Sequence, residues 1–195
     1  FKQAIEQNPD NLKAYYALAR LYLSENKQEQ AISQLKEVLA LNPEQAGAHM
    51  LLATIYDLQQ RLDLSEKHYR AALDINPEFV AAANNLASIL ADRDKDIHDA
   101  LNLARLAKKK LPDNPFVMDT LGWVFYKKGL YESAIVEFSD SLAKMPDNAT
   151  VTYHLGMAYY KKGELEKARR ELERALHLDD NFNGAEKARK VLAAL

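Results

Sequence analysis

The sequence predicts an all-α protein, an array of stacked helix–turn–helix units, and three observations carry the prediction. The stretch Leu-Gly-Trp-Val-Phe-Tyr-Lys-Lys-Gly at Leu121–Gly129 returns 34 residues later as Leu-Gly-Met-Ala-Tyr-Tyr-Lys-Lys-Gly at Leu155–Gly163, identical at six of nine positions. Pro9, Pro43, Pro77, Pro112 and Pro146 stand 34, 34, 35 and 34 residues apart. Between successive prolines, apolar residues recur at helical spacing in two runs separated by a short polar break. A fixed period of roughly 20–50 residues marks a repeat array, in which each unit packs only on its neighbours and function lies on a surface.

Residues 1–11 form a partial unit: Phe1, Ala4 and Pro9 fit the end of a second helix, so the chain is expected to begin inside a longer array. In the first full unit, 12–45, Leu12, Tyr15, Leu18, Ala19, Tyr22 and Leu23 make one helical stripe, Ser24-Glu25-Asn26 breaks it, and Ala31, Ile32, Leu35, Val38 and Leu39 resume it. The same pattern gives units 46–79, 80–114, 115–148 and 149–182. Each proline stops the helix before it, and an Asp or Asn after three of them is placed to cap the next helix. Pro112-Asp113-Asn114-Pro115 is the clearest case, with a cap candidate followed by proline at the first helical position. The third unit departs from the pattern: Leu90 and Ala104 replace large packing residues, and Ala91 to Asp96 makes a turn one residue too long, so its fold is expected to survive while its local curvature is left open. The segment 183–195, with Ala185, Ala188, Val191, Leu192 and Leu195, reads as one more helix that caps the array.

Composition narrows the function classes. The chain is 48% apolar and 28% charged with a mean hydropathy of −0.40, and no apolar run approaches the ~18 residues of a membrane span. There is no signal-peptide pattern, although the chain opens at Phe1 without a methionine, which leaves room for a leader or anchor outside these residues. With 26 basic against 28 acidic residues, nothing electrostatic favours nucleic acid or an anionic membrane as partner. The absence of cysteine removes disulfides, thiolate metal sites and a thiol nucleophile, and leaves the compartment open.

No enzyme motif is present: the six glycines never form a phosphate-cradling loop, and GxSxG, Walker and HExxH patterns are missing. The five histidines are scattered, and although Asp94/His98 and Glu173/His177 stand four apart, a structural reading suits them better than a metal. Lys108-Lys109-Lys110 ends a helix, where cations complement the dipole, and Arg169-Arg170 interleaved with Glu166, Glu171 and Glu173 reads as an ion-paired exposed face. The expected protein is therefore non-enzymatic, with no cofactor and no metal.

The pattern resembles the tetratricopeptide repeat (TPR), with its 34-residue period and its large-x₂-Leu-Gly-x₂-Tyr…Ala-x₃-Phe…Pro signature. The fourth unit supplies Met118, Leu121, Gly122, Phe125, Ala134, Phe138 and Pro146, and the first supplies Tyr15, Leu18, Ala19, Tyr22, Ala31, Leu35 and Pro43. The second supplies His49, Leu52, Ala53, Tyr56, Ser65, Tyr69, Ala72 and Pro77; the fifth matches from Leu155 to Ala175 but has Asp180 where proline belongs. The small residues Gly122, Gly156, Ala19 and Ala53 fall where the two helices of a unit approach closely, facing Ala134 or Ala168.

The resemblance implies a right-handed α-solenoid, or superhelix, whose first helices line a concave surface that meets a protein or peptide partner. Carried over position by position, the groove residues are Lys13, Tyr16, Arg20 and Leu23; Met50, Thr54 and Asp57; Asn84, Asn85, Ser88 and Asp92. They continue with Phe116, Asp119, Trp123, Tyr126 and Lys127, then Tyr153, His154, Met157, Tyr160 and Lys161. Trp123, Tyr126, Phe116, Tyr153, Tyr160 and Met157 are expected to be apolar anchors, and Lys13, Arg20, Asn84 and Asn85 polar readers. The places that hold a lysine clamp in TPR proteins binding acidic chaperone tails carry Tyr16, Arg20, Leu51, Ala81 and Asn85, so that partner is not expected. The alternatives are a scaffold that associates with itself through the apolar edge at Phe1 to Asn8, and a TPR segment of a bacterial envelope or exopolysaccharide-export component.

Overall fold

The computed structural model of the protein describes residues 12–195, without the side chains of Leu12, Lys13, Tyr15 and Tyr16. The expected partial unit 1–11, its apolar edge, and the groove side chains of Lys13 and Tyr16 therefore lie outside the described residues. Among the described residues there are eleven α-helices and no strand: α1 (Leu12–Ser24), α2 (Gln28–Leu41), α3 (Ala46–Leu58), α4 (Leu62–Ile75), α5 (Val80–Asp92), α6 (Ile97–Lys110), α7 (Pro115–Lys127), α8 (Tyr131–Lys144), α9 (Ala149–Lys162), α10 (Leu165–Leu178) and α11 (Ala185–Ala194). The chain divides into two compact units, one up to Leu86 and one from Ala87, the division falling within α5.

Every first helix ends in the same way. Asn26, Gln60, Asp94, Gly129 and Gly163 all have positive φ, between 51° and 87°. The next residue sends its N–H back to the carbonyl of Tyr22, Tyr56, Leu90, Phe125 or Tyr159 at 2.8–3.0 Å. The left-handed residue itself bonds three residues back, to Leu23, Asp57, Ala91, Tyr126 or Tyr160. This pair of bonds is the Schellman closure, which satisfies orphan carbonyls and turns the chain sharply. In the third unit α5 runs on to Asp92, and the extra residue is taken up after the closure by Asp96, at φ 30°. Its carboxylate caps α6 by accepting the Asp99 N–H at 3.1 Å.

Each second helix ends at an Asx turn or hands over to an Asn cap. Asn42, Asn76 and Asp179 accept the N–H two residues on at 3.0, 3.1 and 2.9 Å, which bends the chain out of α2, α4 and α10. Asn114 accepts from Phe116 and Val117 at 3.0 and 3.2 Å at the start of α7, and Asn148 accepts from Val151 at 3.0 Å at the start of α9. In the fifth unit Asp179 makes this turn without the proline, so Asp180 is tolerated there.

Within a pair, helix contact is limited by the large side chain of the second helix. A Cβ on Gly122 of α7 would lie 2.7 Å from the Phe138 ring of α8, and one on Gly156 of α9 would lie 2.9 Å from the Leu172 side chain of α10 and 3.2 Å from its backbone nitrogen. The sequence placed Ala134 and Ala168 against these glycines; they are fully buried, but Phe138 and Leu172 set the approach. In the N-terminal unit the core runs through Ala19, Leu35, Leu52, Ile55 and Tyr56, with α3 packed on α2. In the C-terminal unit it runs through Phe138, Leu155, Met157 and Leu172 to Phe182 and Ala188, with α11 packed on α9 and α10. Two charged runs are now placed. Lys108 at the end of α6 pairs with Glu137 at 2.8 Å, while Glu171, expected on an exposed face, is 6% exposed and held by Arg170 at 2.8 Å.

Candidate functional site

The C-terminal unit builds a connected set of side chains around Trp123, the sole tryptophan. Tyr126 follows it by three residues on α7, the spacing that places two side chains on one face, and the rings stack with centroids 4.8 Å apart and planes 10° apart. His154, from α9, also stacks on Trp123, at 4.3 Å. Two polar atoms of this stack are tied down. Trp123 Nε1 donates to Asp92 Oδ1 at 2.7 Å, and His154 Nδ1 lies 2.7 Å from Asp119 Oδ1. An ionised carboxylate only accepts, so Nδ1 is the nitrogen that carries the proton. Lys127 stands 5.9 Å from the indole centre and pairs with Asp94 at 2.7 Å. Stacked aromatic pairs contribute about 0.5–1.5 kcal/mol each beyond the area they bury, enough to hold the indole in one orientation.

This assembly forms part of the wall of a cavity of about 740 Å³ bounded by α5, α7, α9, the segment 182–184 and the start of α11. Ser88, Asp92, Asp119, Trp123, Tyr153 and His154 face it from the first helices. Phe182 and Gly184 bring the C-terminal segment against Tyr153: the rings of Tyr153 and Phe182 are 5.3 Å apart, and a Cβ at position 184 would fall 2.7 Å from the Tyr153 ring. Burial pushes the hydroxyls of Tyr126 and Tyr153 up to about 12, so both remain neutral at physiological pH. Desolvation likewise raises the Asp92 carboxyl above its ordinary value, against the opposing pull of the Trp123 hydrogen bond, His154 and Lys127. The site offers a half-buried indole, carboxylate acceptors and hydroxyl groups, which is equipment for binding.

Of the residues expected in the groove, Ser88, Asp92, Asp119, Trp123, Tyr153 and His154 meet on this cavity. Tyr126 and Met157 lie in the core, 8% and 1% exposed, and Tyr160 is half-buried. Phe116, in the first turn of α7, is 62% exposed and does not line the cavity. In the N-terminal unit Arg20 is exposed, and Met50, Thr54, Asn84 and Asn85 are half-buried. Thr54 Oγ1 donates to the Met50 carbonyl at 3.0 Å and lies 3.3 Å from the Tyr69 hydroxyl, to which Asn85 Nδ2 donates at 3.0 Å. Thr54 and Asn85 are thus engaged in holding Tyr69, whereas Asn84 Oδ1 is buried with no hydrogen-bond partner among the described residues.

Two arrangements escaped the sequence reading. The wall contributed by Phe182 to Lys190 makes the capping helix part of the site, and the only sequence signal for it was Gly184, a glycine outside the repeat pattern. In the N-terminal unit His49 Nδ1 and His68 Nδ1 come within 2.8 Å of each other. Among the described residues no group of three or more His, Cys, Asp or Glu could hold a metal ion, and no helix is long and apolar enough to cross a membrane.

Comparison with known proteins places these features. A family model described as tetratricopeptide repeat matches residues 16–78 and 59–115, and a second with the same description matches 125–195. No curated protein sequence matches the chain. Among solved structures, the chain is similar to YrrB, "a TPR protein with an unusual peptide-binding site", with a TM-score of 0.77, 23% identity and 97% of each chain covered. It is also similar to PilW, a type IV pilus biogenesis factor, with a TM-score of 0.78, 20% identity, and 93% of this chain and 86% of that one covered. A third, PilF of Pseudomonas aeruginosa, gives a TM-score of 0.69 at 24% identity over 94% of this chain and 87% of that one. At these identities the likeness concerns the fold, an α-solenoid of helix pairs.

Proposed function

The chain belongs to the tetratricopeptide repeat family, whose arrays are protein–protein interaction modules, and on that premise we propose that it is a non-enzymatic module that captures a peptide segment of a partner in the cavity of its C-terminal unit. The observation that carries the reading is the cavity itself. It lies against first helices at positions the repeat does not need for its own packing, and its size falls within the range of about 300–1,000 Å³ typical of ligand sites. Trp123 is the anchor: a rigid indole, positioned by Tyr126, His154 and Asp92, gives large contact area at little entropic cost. Tyr126 and Met157 support it from the core and do not meet the ligand themselves. The peptide-binding site named for YrrB is consistent with this use of the fold.

The test uses Trp123 as reporter, because no other tryptophan contributes to the emission. Peptides selected from a random linear display library against the protein are titrated while the indole fluorescence is followed. Binders are expected to shift it, and Trp123→Ala, checked for folding by circular dichroism, is expected to weaken them by at least about thirtyfold, as a central interface tryptophan does. Binders that leave the emission unchanged and bind Trp123→Ala equally well would place the interaction elsewhere.

A further inference from the structure

The cavity is not electrostatically even, and the imbalance has a structural origin. Asp92 is the last residue of α5, at the negative end of the helix dipole, where a cation is the favoured neighbour. Here a carboxylate stands in that place. Its contact is the neutral Trp123 N–H, and among the described residues no basic side chain forms an ion pair with it. Lys127, whose charge acts on Asp92, makes its ion pair with Asp94. On α7, Asp119 adds a second carboxylate to the same cavity, close enough to act on Asp92, with one oxygen on His154. Of the two lysines that line the cavity from α11, Lys190 is held by Glu186 at 2.6 Å and Lys187 is exposed.

We infer that the peptide captured in this cavity presents a lysine or arginine side chain to Asp92 and Asp119. The inference rests on the groove reading above and names the chemistry of its partner. A basic side chain suits both surfaces it would meet: its aliphatic stem lies along the half-buried indole of Trp123, and its head reaches the carboxylates of Asp92 and Asp119. A cation there adds to the pull that His154 and Lys127 already exert on the Asp92 carboxylate. Two carboxylates without a third ligand are poor equipment for a metal ion, but they match the paired N–H groups of a guanidinium or the three of an ammonium.

The experiment takes the peptides selected above and their variants with each Lys or Arg replaced by Gln, and measures affinity for the wild type, Asp92→Asn and Asp119→Asn. Both substitutions keep a carbonyl oxygen as acceptor for Trp123 or His154, so the stack is preserved and circular dichroism should be unchanged. Selected peptides are expected to share a basic residue whose replacement weakens binding by roughly tenfold to a hundredfold, the size of a hydrogen-bonded charge contact. Asp92→Asn should weaken the original peptide similarly and leave the Gln variant almost unaffected. Peptides that shift Trp123 emission but bind Asp92→Asn and Asp119→Asn undiminished, or that are enriched in acidic residues, overturn the inference while leaving the groove in place. Peptides that ignore Trp123 altogether overturn both.

Discussion

His68 shows how one side chain links the packing of the N-terminal unit to pH. His49 Nε2 lies 3.3 Å from the Pro43 carbonyl, which can only accept, so Nε2 carries the proton of neutral His49 and its Nδ1 accepts from His68 Nδ1–H. His68 also stacks on Tyr56, with centroids 5.6 Å apart. Burial, then the neighbouring His49, Lys67 and Lys36, lower the His68 pKa from 6.5 to about 4. The unfolded chain therefore takes up a proton near pH 6.5 that the folded protein refuses until about pH 4. The stabilisation is complete above pH 6.5, is lost progressively as the pH falls to about 4, and does not change further below that. Because His68 is only half-buried, solvent screening makes the loss smaller than the shift by itself would suggest. Urea midpoints should fall between neutral pH and pH 4.5, a decline that His68→Gln should flatten. An NMR titration of the His68 ring with a midpoint near 6.5 would contradict this account. The pairing was invisible in the sequence, since residues 19 apart on different helices carry no local signature of contact.

At the scale of the element, the turn inside each pair requires one residue in the left-handed region, and the chain meets that need unequally. Gly129 and Gly163 adopt it freely and Asn26 and Asp94 tolerate it, but Gln60, at φ 57°, carries the full steric penalty of a long side chain. Gln60→Gly should stabilise the protein by about 0.5–1 kcal/mol, read as a higher urea midpoint with an unchanged slope. A loss of stability would mean that the Gln60 side chain, which reaches the Asp57 carbonyl at 3.4 Å, matters more than its backbone. The same turn explains what the sequence could and could not disclose. Proline spacing and apolar periodicity revealed the helices because both act within a few residues. The left-handed position was legible only where glycine marks it, and nothing local in the sequence told that the extra residue of the third unit ends in a cap at Asp96.

At the scale of the whole molecule, α11 does two jobs, burying Ala185 and Ala188 over the last pair and closing one side of the cavity. Deleting residues 184–195 should cost on the order of 3 kcal/mol through exposed apolar surface. It should also move Trp123 emission toward that of a solvated indole, because the cavity then opens. Emission that stays unchanged in a folded truncation would show that the indole environment is set by α5, α7 and α9 alone. The candidate site was partly legible for a related reason. Ser88, Asp92, Asp119, Trp123, Tyr153 and His154 share positions dictated by the repeat, whereas the bond from Trp123 to Asp92 spans 31 residues and the α11 wall has no counterpart in the pattern. The close approaches at Gly122 and Gly156 are met by Phe138 and Leu172, each from the second helix of the same pair. Between pairs, apolar packing is joined by polar partners such as Lys108 with Glu137 and Asp119 with His154, and the atoms nearest these two glycines come from within the pair. Genetic recombination should therefore respect one boundary and ignore the other. A crossover in the proline turn at Pro112 or Pro146 transfers a glycine together with the side chain shaped to it, while a crossover in the Gly129 or Gly163 turn separates them. The helix pair, more than the single helix, is the heritable module of this chain.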